Sequence, residues 1–161
     1  MIGAMDDVVV AIDDPLAADV RALLEHHLDF CRGCTRPEDV HALDLDGLLD
    51  PAVVLFSACA NGELLGVGAL KTIDDEHAEL KSMHTAETAR GRGVGMRMVA
   101  HLADEARRRG IRRISLETGA QAEFAPARAL YARAGFEPCE AFEGYVPSDA
   151  STFMTIRLDP A

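Results

Sequence analysis

Apolar and polar residues alternate in several short runs of this chain, and such runs predict β-strands. A first strand is expected at Val8 to Ile12, which is rich in β-branched residues. Two apolar runs flank Asn61-Gly62, a dipeptide that accepts the positive φ angles of a tight reversal, so a hairpin is predicted there. Further strands are expected at about His77 to Thr85, Arg112 to Thr118 and Ser151 to Leu158, with a short one at Phe136 to Cys139.

Apolar residues at helical spacing fill the segments between these strands. A first helix is predicted after the first strand, with Asp14 as its cap and Pro15 in its first turn. Glycines are expected to end two of the later helices. Those later helices are predicted at Arg36 to Pro51, Gly93 to Arg109 and Ala125 to Gly135.

The order of predicted elements is β-α-α-β-β-β-α-β-α-β-β, which favours one α/β (α+β) domain over residues 1–161. We expect a mixed central sheet of six to seven strands with helices on both faces. The chain has 48% hydrophobic and 27% charged residues, as soluble proteins do. It shows no signal peptide and no apolar stretch near the roughly 18 residues that span a bilayer. A cytoplasmic protein without membrane contact is therefore predicted.

The formal net charge is −11, which argues against nucleic-acid binding because such proteins usually present a basic face. Eight of the sixteen basic residues nevertheless lie between Arg90 and Arg113. The segment Arg90 to Arg97, RGRGVGMR, holds three glycines and three arginines at the start of the third predicted helix. Glycine lets the backbone close around a ligand, and the first N–H groups of a helix have no intrahelical partner. These features predict a phosphate site.

The spacing of the glycines in this loop can be compared with that of known nucleotide-binding motifs. A nucleotide P-loop needs Lys-Ser or Lys-Thr after the glycines, and neither follows them. A dinucleotide fingerprint needs a glycine where Met96 stands, although Glu117 lies at a suitable distance for a ribose contact. The same residues can also form a tight turn with surface arginines.

Two segments resemble motifs of the GNAT superfamily of acyl-CoA-dependent N-acetyltransferases. RGRGVG, Arg90 to Gly95, is similar to its R/Q-x-x-G-x-G/A pyrophosphate loop. ALYARAGF, Ala129 to Phe136, is similar to the A-L-Y-x-x-x-G-F signature, which places a tyrosine near the sulfur of coenzyme A. The element order fits over nearly the whole chain, and ELKSM, SLETG and FMT resemble a bacterial subgroup of small acetyltransferases. The resemblance implies acetyl-CoA as co-substrate, a sheet splayed at its site, and direct acetyl transfer to a primary amine in a ternary complex.

The resemblance also implies roles for individual residues in binding the co-substrate. Met83 is expected at a strand bulge, where its backbone N–H would face the thioester carbonyl as oxyanion donor. Tyr131 would protonate the departing thiolate, although its apolar sequence neighbours also fit a residue packed in the core. The predicted co-substrate contacts are Met83, His84 and Thr85 along the pantetheine arm, and Arg90, Gly91, Arg92, Gly93, Val94, Gly95 and Met96 around the pyrophosphate.

Two carboxylates are candidates for the general base that the acceptor amine requires. Glu79 lies on the strand that leads to the loop, and Glu117 lies late on the neighbouring strand, where the family's sheet splays. Simple alternation puts Lys81 on the same face as Glu79 and Met83. From the pattern alone, Glu79 can equally be an outward-facing strand carboxylate.

The N-terminal helical region usually closes over the acceptor in the family that the chain resembles. Glu25, His27 and His41 are therefore expected to bind the acceptor, although each also fits a solvated polar face. Two positions depart from the family pattern. Phe124 stands where asparagine is common, and His84 stands where arginine is common in the subgroup. A homodimer, which the family often forms, is also expected.

Cys31 and Cys34 have the CxxC spacing of a half zinc site or a redox pair. Cys59 and Cys139 stand alone in the sequence, and no HExxH motif occurs, so no metal is predicted. Two other functions stay open beside acetyl transfer. The chain can be a non-catalytic acyl-CoA-binding and sensing module, or a small nucleotide-dependent oxidoreductase.

Overall fold

The computed structural model describes residues 7–160. One seven-stranded sheet runs in the order β1-β2-β3-β4-β5-β7-β6, with only β4 and β5 paired in parallel. The strands are β1 (Val9–Ile12), β2 (Val53–Ala60), β3 (Glu63–Thr72), β4 (His77–Thr85), β5 (Arg113–Gly119), β6 (Glu137–Pro138) and β7 (Ser151–Arg157). The helices are α1 (Ala18–Cys34), α2 (Leu45–Leu48), α3 (Val94–Arg108) and α4 (Ala125–Arg133). The predicted mixed α/β architecture is confirmed.

Helices cover both faces of the sheet. On one face, Leu24 of α1 and Leu48 of α2 share a buried cluster with Leu55 and Val67 of the central strands. On the other face, α3 and α4 lie over a larger core whose members include Met98, Leu102, Tyr131, Phe56 and Leu80. The sheet is therefore the middle layer of the fold.

Local sequence explains the sharp reversals. Asn61 and Gly62 have φ angles of 52° and 79°, as the predicted two-residue hairpin between β2 and β3 requires. Gly110 follows α3 with a φ of 81°, a left-handed conformation that ends a helix without strain in glycine. In the described chain, no helix has the length and apolar character that crossing a membrane requires.

Two predictions about the N-terminal helices are wrong. Asp14 does not cap α1, because its carboxylate accepts the N–H of Leu16 in the preceding turn, and α1 begins after Ala17 without a side-chain cap. The second predicted helix divides into a 3₁₀ turn, Pro37–Asp39, and the four-residue α2. The side chain of Asp44 accepts the N–H of Gly47, and this local bond starts α2 only there.

The parallel pair at the centre of the sheet is short. β4 pairs with β5 only from His77 to Glu79, opposite Arg113 to Ser115, within the described sheet. Beyond Glu79 and Ser115 the two strands carry no mutual pairing, which confirms the predicted splay. The remaining backbone of β4 stays bonded to β3 instead. A space thus opens between two strands that are each held from their outer side.

Candidate active site

A cavity of about 590 Å³ occupies the splay. Its walls come from the second half of β4, the end of β5, α1, the loop before α3, and α4. Most of the predicted site residues lie on these walls, although they are scattered along the chain. The exceptions among the site residues are Arg92, Glu25 and Glu79.

The glycine-arginine loop forms one end of the cavity. Gly91 and Gly93 adopt φ angles of 73° and 77°, so the chain turns twice before α3 begins. Gly93 is the N-cap residue and no side chain caps this helix, which leaves its first-turn N–H groups for an anion. A Cβ on Gly95 would lie 2.9 Å from Cδ2 of Leu130, so glycine lets α3 approach α4. Arg92 is exposed and does not line the cavity, whereas Arg90 does.

A β-bulge shapes the middle of the cavity wall. Lys81 lies opposite Ala69, yet His84 lies opposite Val67, so β4 contains one residue more than β3 there. Ser82 accommodates the extra residue with a φ of 54°. The bulge turns Met83 towards α3, where a Cβ on Gly68 would lie 2.6 Å from its sulfur. The prediction that Met83 shares a face with Glu79 and Lys81 is therefore wrong, because simple alternation fails at a bulge.

Glu79 lies beneath the cavity, and the alternative of an outward-facing carboxylate is wrong. Its side chain is 4% exposed, and that of Lys81 is 9% exposed. Nζ of Lys81 donates to Oε1 of Glu79 at 3.1 Å and to the hydroxyl of Tyr145 at 2.8 Å. The Tyr145 hydroxyl in turn donates to Glu79, and burial raises the pKa of Tyr145 above its usual range. No sequence pattern points to Tyr145, because the segment between β6 and β7 has no periodic arrangement of apolar residues.

Glu117 and Tyr131 line the cavity where the two strands separate. Burial raises the pKa of Glu117 to about 7, and the nearby carboxylates of Glu79 and Asp39 add to this rise against the charge of Lys81. Tyr131 is buried, with its ring 5.8 Å from that of Phe136, so it belongs both to the core and to the cavity wall. Burial also raises the pKa of Tyr131, and Cys31 and Glu117 contribute. The hydroxyl thus stays protonated at neutral pH.

Two histidines connect α1 to β4 beside the cavity. Nδ1 of His27 lies 3.1 Å from Nδ1 of His84, so one ring donates and the other accepts. Burial lowers the pKa of His27 to about 4, with a contribution from His26. Burial, followed by the neighbouring histidines and Arg90, lowers the pKa of His84 to about 3. Both rings are therefore neutral at pH 7, and Nε2 of His84 is buried without a hydrogen-bond partner in residues 7–160.

Aromatic and thiol side chains complete the α1 wall. The ring of Phe30 lies 5.3 Å from that of Phe124, edge to face. Cys31 is buried and lines the cavity, and burial raises the pKa of its thiol to about 11. Cys31 and Cys34 are both free thiols. In the part of the chain that the structure describes, no group of three or more His, Cys, Asp or Glu side chains is arranged to hold a metal ion.

The three residues predicted to bind the acceptor divide into two groups. His27 and His41 line the cavity, and the ring of His41 stands edge to face against Tyr145 at 5.1 Å. Glu25 lies on the exposed side of α1, where it pairs with Arg21 at 2.9 Å. Glu25 and His27 are only two positions apart on α1, so they lie on opposite sides of the helix, one facing solvent and one facing the cavity. Asp39, from the same N-terminal helical region, also lines the cavity.

Comparison with known proteins identifies relatives of this chain. Residues 20–136 match the sequence model of the acetyltransferase (GNAT) family. The chain is 42% identical over 149 residues to the uncharacterized N-acetyltransferase YsnE of Bacillus subtilis (strain 168), and the match covers 92% of this chain and 99% of YsnE.

Solved structures share the fold. A putative acyl-CoA N-acyltransferase from Klebsiella pneumoniae superposes with a TM-score of 0.77 at 27% identity, covering 94% of this chain and 98% of its own. A GNAT family acetyltransferase from Elizabethkingia anophelis, solved with acetyl-CoA bound, superposes with a TM-score of 0.71 at 17% identity. That superposition covers 95% of this chain and 99% of the other.

Proposed function

The chain belongs to the GNAT family of acetyltransferases and is an acyltransferase. From the residues of its cavity, we propose the following reaction. The reaction is transfer of the acetyl group of acetyl-CoA to a primary amine, by direct attack in a ternary complex. One observation carries the proposal. A single cavity joins the loop before α3 to Glu117 and Tyr131, so a phosphate site, a proton acceptor and a proton donor share one space.

Three features of the cavity fit a CoA thioester. The uncapped N-terminus of α3 and the adjacent Arg90 suit the pyrophosphate. The bulge at Ser82 takes backbone groups of β4 out of the ladder, so they can bond to the pantetheine arm. Nε2 of His84 is a buried polar atom that still lacks a partner among residues 7–160. The acetyl-CoA in the Elizabethkingia neighbour supports the same co-substrate here.

The residues of the splay supply the proton transfers. An alkylamine has a pKa of about 10.4 and arrives protonated, so Glu117 takes one proton from its nitrogen, directly or through water. The neutral nitrogen attacks the thioester carbonyl, and the backbone N–H of Met83 donates to the resulting oxyanion. As the C–S bond breaks, Tyr131 donates its proton to the thiolate. The nitrogen loses its second proton, which restores the tyrosine through solvent.

Glu79 takes a positioning role rather than that of the base. Both Lys81 and Tyr145 donate to its carboxylate, and almost none of its surface is exposed. Glu117, in contrast, faces the cavity, and burial gives it a pKa close to the pH at which a general base works best. The geometry therefore favours Glu117 over Glu79.

Thermal unfolding with acetyl-CoA, CoA, NADH and ATP at matched concentrations tests the proposal. A ligand at 100 times its Kd stabilises the folded state by about 2.7 kcal/mol, so acetyl-CoA and CoA should raise the Tm. Thiol release from acetyl-CoA with a panel of primary amines then tests catalysis, and Tyr131→Phe should slow that release. Binding of acetyl-CoA without thiol release for any amine would favour the alternative function, a non-catalytic acyl-CoA-sensing module. Stabilisation by NADH alone would contradict the proposal.

A further inference from the structure

The acceptor's chemical class follows from the charges around Glu117. An amino-acid acceptor would bring a carboxylate next to its amine, and that carboxylate would need a cation or free N–H donors nearby. Among the described cavity-lining residues, the permanent cations are Lys81, Arg90 and Arg133. Arg90 belongs to the phosphate loop, Arg133 is exposed in the last turn of α4, and the cation that acts on Glu117 is Lys81.

The N–H donors and the charge of Lys81 are already paired within the protein. Its ammonium group carries three N–H donors. These point to Oε1 of Glu79 at 3.1 Å, the hydroxyl of Tyr145 at 2.8 Å and the carbonyl oxygen of His41 at 3.3 Å. The Glu79 carboxylate also balances its charge inside the protein, because both side chains are buried. Lys81 is therefore saturated in hydrogen bonds and neutralised.

The histidines of the cavity cannot replace it. Burial and the charge of Lys81 lower the pKa of His41, although Asp39 and Glu79 act in the opposite direction. His27 and His84 bond to each other and are neutral at pH 7. None of the three rings supplies a cation for a substrate carboxylate at neutral pH.

The groups that do face the acceptor are acidic or aromatic. Glu117 and Asp39 lie close enough to influence each other, and Glu123 also lines the cavity. Asp39 has a partner in Arg36, but the Arg36 side chain is 73% exposed and screened by solvent. An ammonium group would relieve this excess of negative charge, whereas a carboxylate would add to it.

We propose that the acceptor is a small primary amine without a carboxylate on its amine-bearing carbon, such as an alkylamine or arylalkylamine. All three N–H donors of Lys81 bond to Glu79, Tyr145 and His41, so Lys81 has no donor for a substrate carboxylate. The cavity therefore binds a cationic amine and repels the carboxylate of an α-amino acid. Phe30 and Phe124 provide an apolar wall for the body of the amine, at the position where the family commonly has asparagine. This inference rests on the proposed acetyl transfer and names its substrate class.

Matched pairs of acceptors test the inference. Thiol release from acetyl-CoA is measured with phenethylamine against phenylalanine and with isoamylamine against leucine, compounds that differ by the carboxylate alone. We expect kcat/KM at least about tenfold higher for each amine, since an unpaired charge costs more than the 1.4 kcal/mol that corresponds to a factor of ten. Equal rates for amine and amino acid would overturn the inference and leave the acetyl transfer standing. No release with any primary amine would instead overturn the proposed function.

A variant tests the cause. Glu79→Gln keeps an oxygen for Lys81 and Tyr145 but removes the charge that balances Lys81, so the preference for amine over amino acid should narrow by about tenfold. Glu76→Gln is the control, because Glu76 is exposed and pairs with Arg112 outside the cavity. An unchanged preference in Glu79→Gln would overturn the role of Lys81. If Glu79→Gln does not fold, Tyr145→Phe replaces it, because that variant frees one N–H of Lys81. Its preference for amine over amino acid should narrow as well, and an unchanged preference would again overturn the role of Lys81.

Discussion

Nζ of Lys81 lies 3.1 Å from Oε1 of Glu79, and both side chains are almost completely buried. A carboxylate held in this way stabilises the fold but is poorly placed to take a proton from a substrate. Glu117 faces the cavity without such a partner cation at hydrogen-bond distance among the described residues. The two carboxylates of the predicted site therefore have different tasks.

Substitution of each carboxylate should separate these tasks. Glu117→Gln is expected to lower kcat about 100-fold or more, since a general base contributes roughly that much, with little change in the Tm. Glu79→Gln should lower the free energy of unfolding by roughly 3–5 kcal/mol, because it leaves a buried lysine without its counter-charge. Steady-state thiol release and urea unfolding measure the two effects. The reverse pattern would make Glu79 the base.

The pH dependence of kcat/KM should report Glu117. A base acts in its deprotonated form, so the rate should rise with pH through about 7, where burial places the pKa of this carboxyl. Glu117→Gln should remove that inflection, and its rate should instead rise with pH up to about 10, because without a base only the neutral form of the acceptor amine reacts. Persistence of the inflection in Glu117→Gln would assign it to another group.

Two arginines of the same loop provide a matched test of the phosphate site. Arg90 lines the cavity and Arg92 does not, although both are exposed and only two positions apart. Arg90→Ala should raise the Kd for acetyl-CoA about tenfold, as expected for one hydrogen bond to a charged group. Arg92→Ala should change the Kd much less. Calorimetric titration at constant ionic strength measures both, and equal losses would indicate a general charge effect.

The histidine pair predicts how stability depends on pH. The folded pKa values of His27 and His84, about 4 and about 3, lie below the ordinary value of 6.5. At a pH between these lowered values and 6.5, the two histidines bind more protons in the unfolded chain than in the folded protein. The free energy of unfolding therefore falls as the pH falls from 6.5 towards 3. Each histidine contributes up to about 1.4 kcal/mol per pH unit. Glu117, whose pKa is raised, acts in the opposite sense between pH 7 and 4.5.

Variants isolate the histidine contribution from the others. His84→Asn should make the decline in unfolding free energy between pH 6.5 and 4.5 shallower than in the wild-type protein. His101→Asn serves as control, since His101 lies on α3 with its ring against Phe56. Urea unfolding at several pH values gives the slopes. Identical slopes for His84→Asn and the wild type would show that the pair does not control acid stability.

Local patterns predicted most elements because their causes are local. The hairpin at Asn61-Gly62 and the end of α3 at Gly110 depend on glycine and asparagine conformations that the sequence displays directly. The predicted helix between Arg36 and Pro51 is too long. The N–H of Gly47 donates to the side chain of Asp44, and this bond competes with helix continuation. Hydrophobic periodicity does not reveal such a bond. The bulge at Ser82 was expected near Met83 from the family, but its effect on the direction of Met83 was not.

The sequence by itself determined the family, the order of strands and helices, and the loop at Arg90 to Met96, because motif spacing and hydrophobic periodicity are properties of neighbouring residues. Only the tertiary structure decided which carboxylate faces the cavity. The partners of Glu79 are Lys81, two residues away, and Tyr145, sixty-six residues away. A contact across that separation depends on how the sheet and the segment between β6 and β7 pack together. Burial, which raises the pKa of Glu117, likewise arises only from packing.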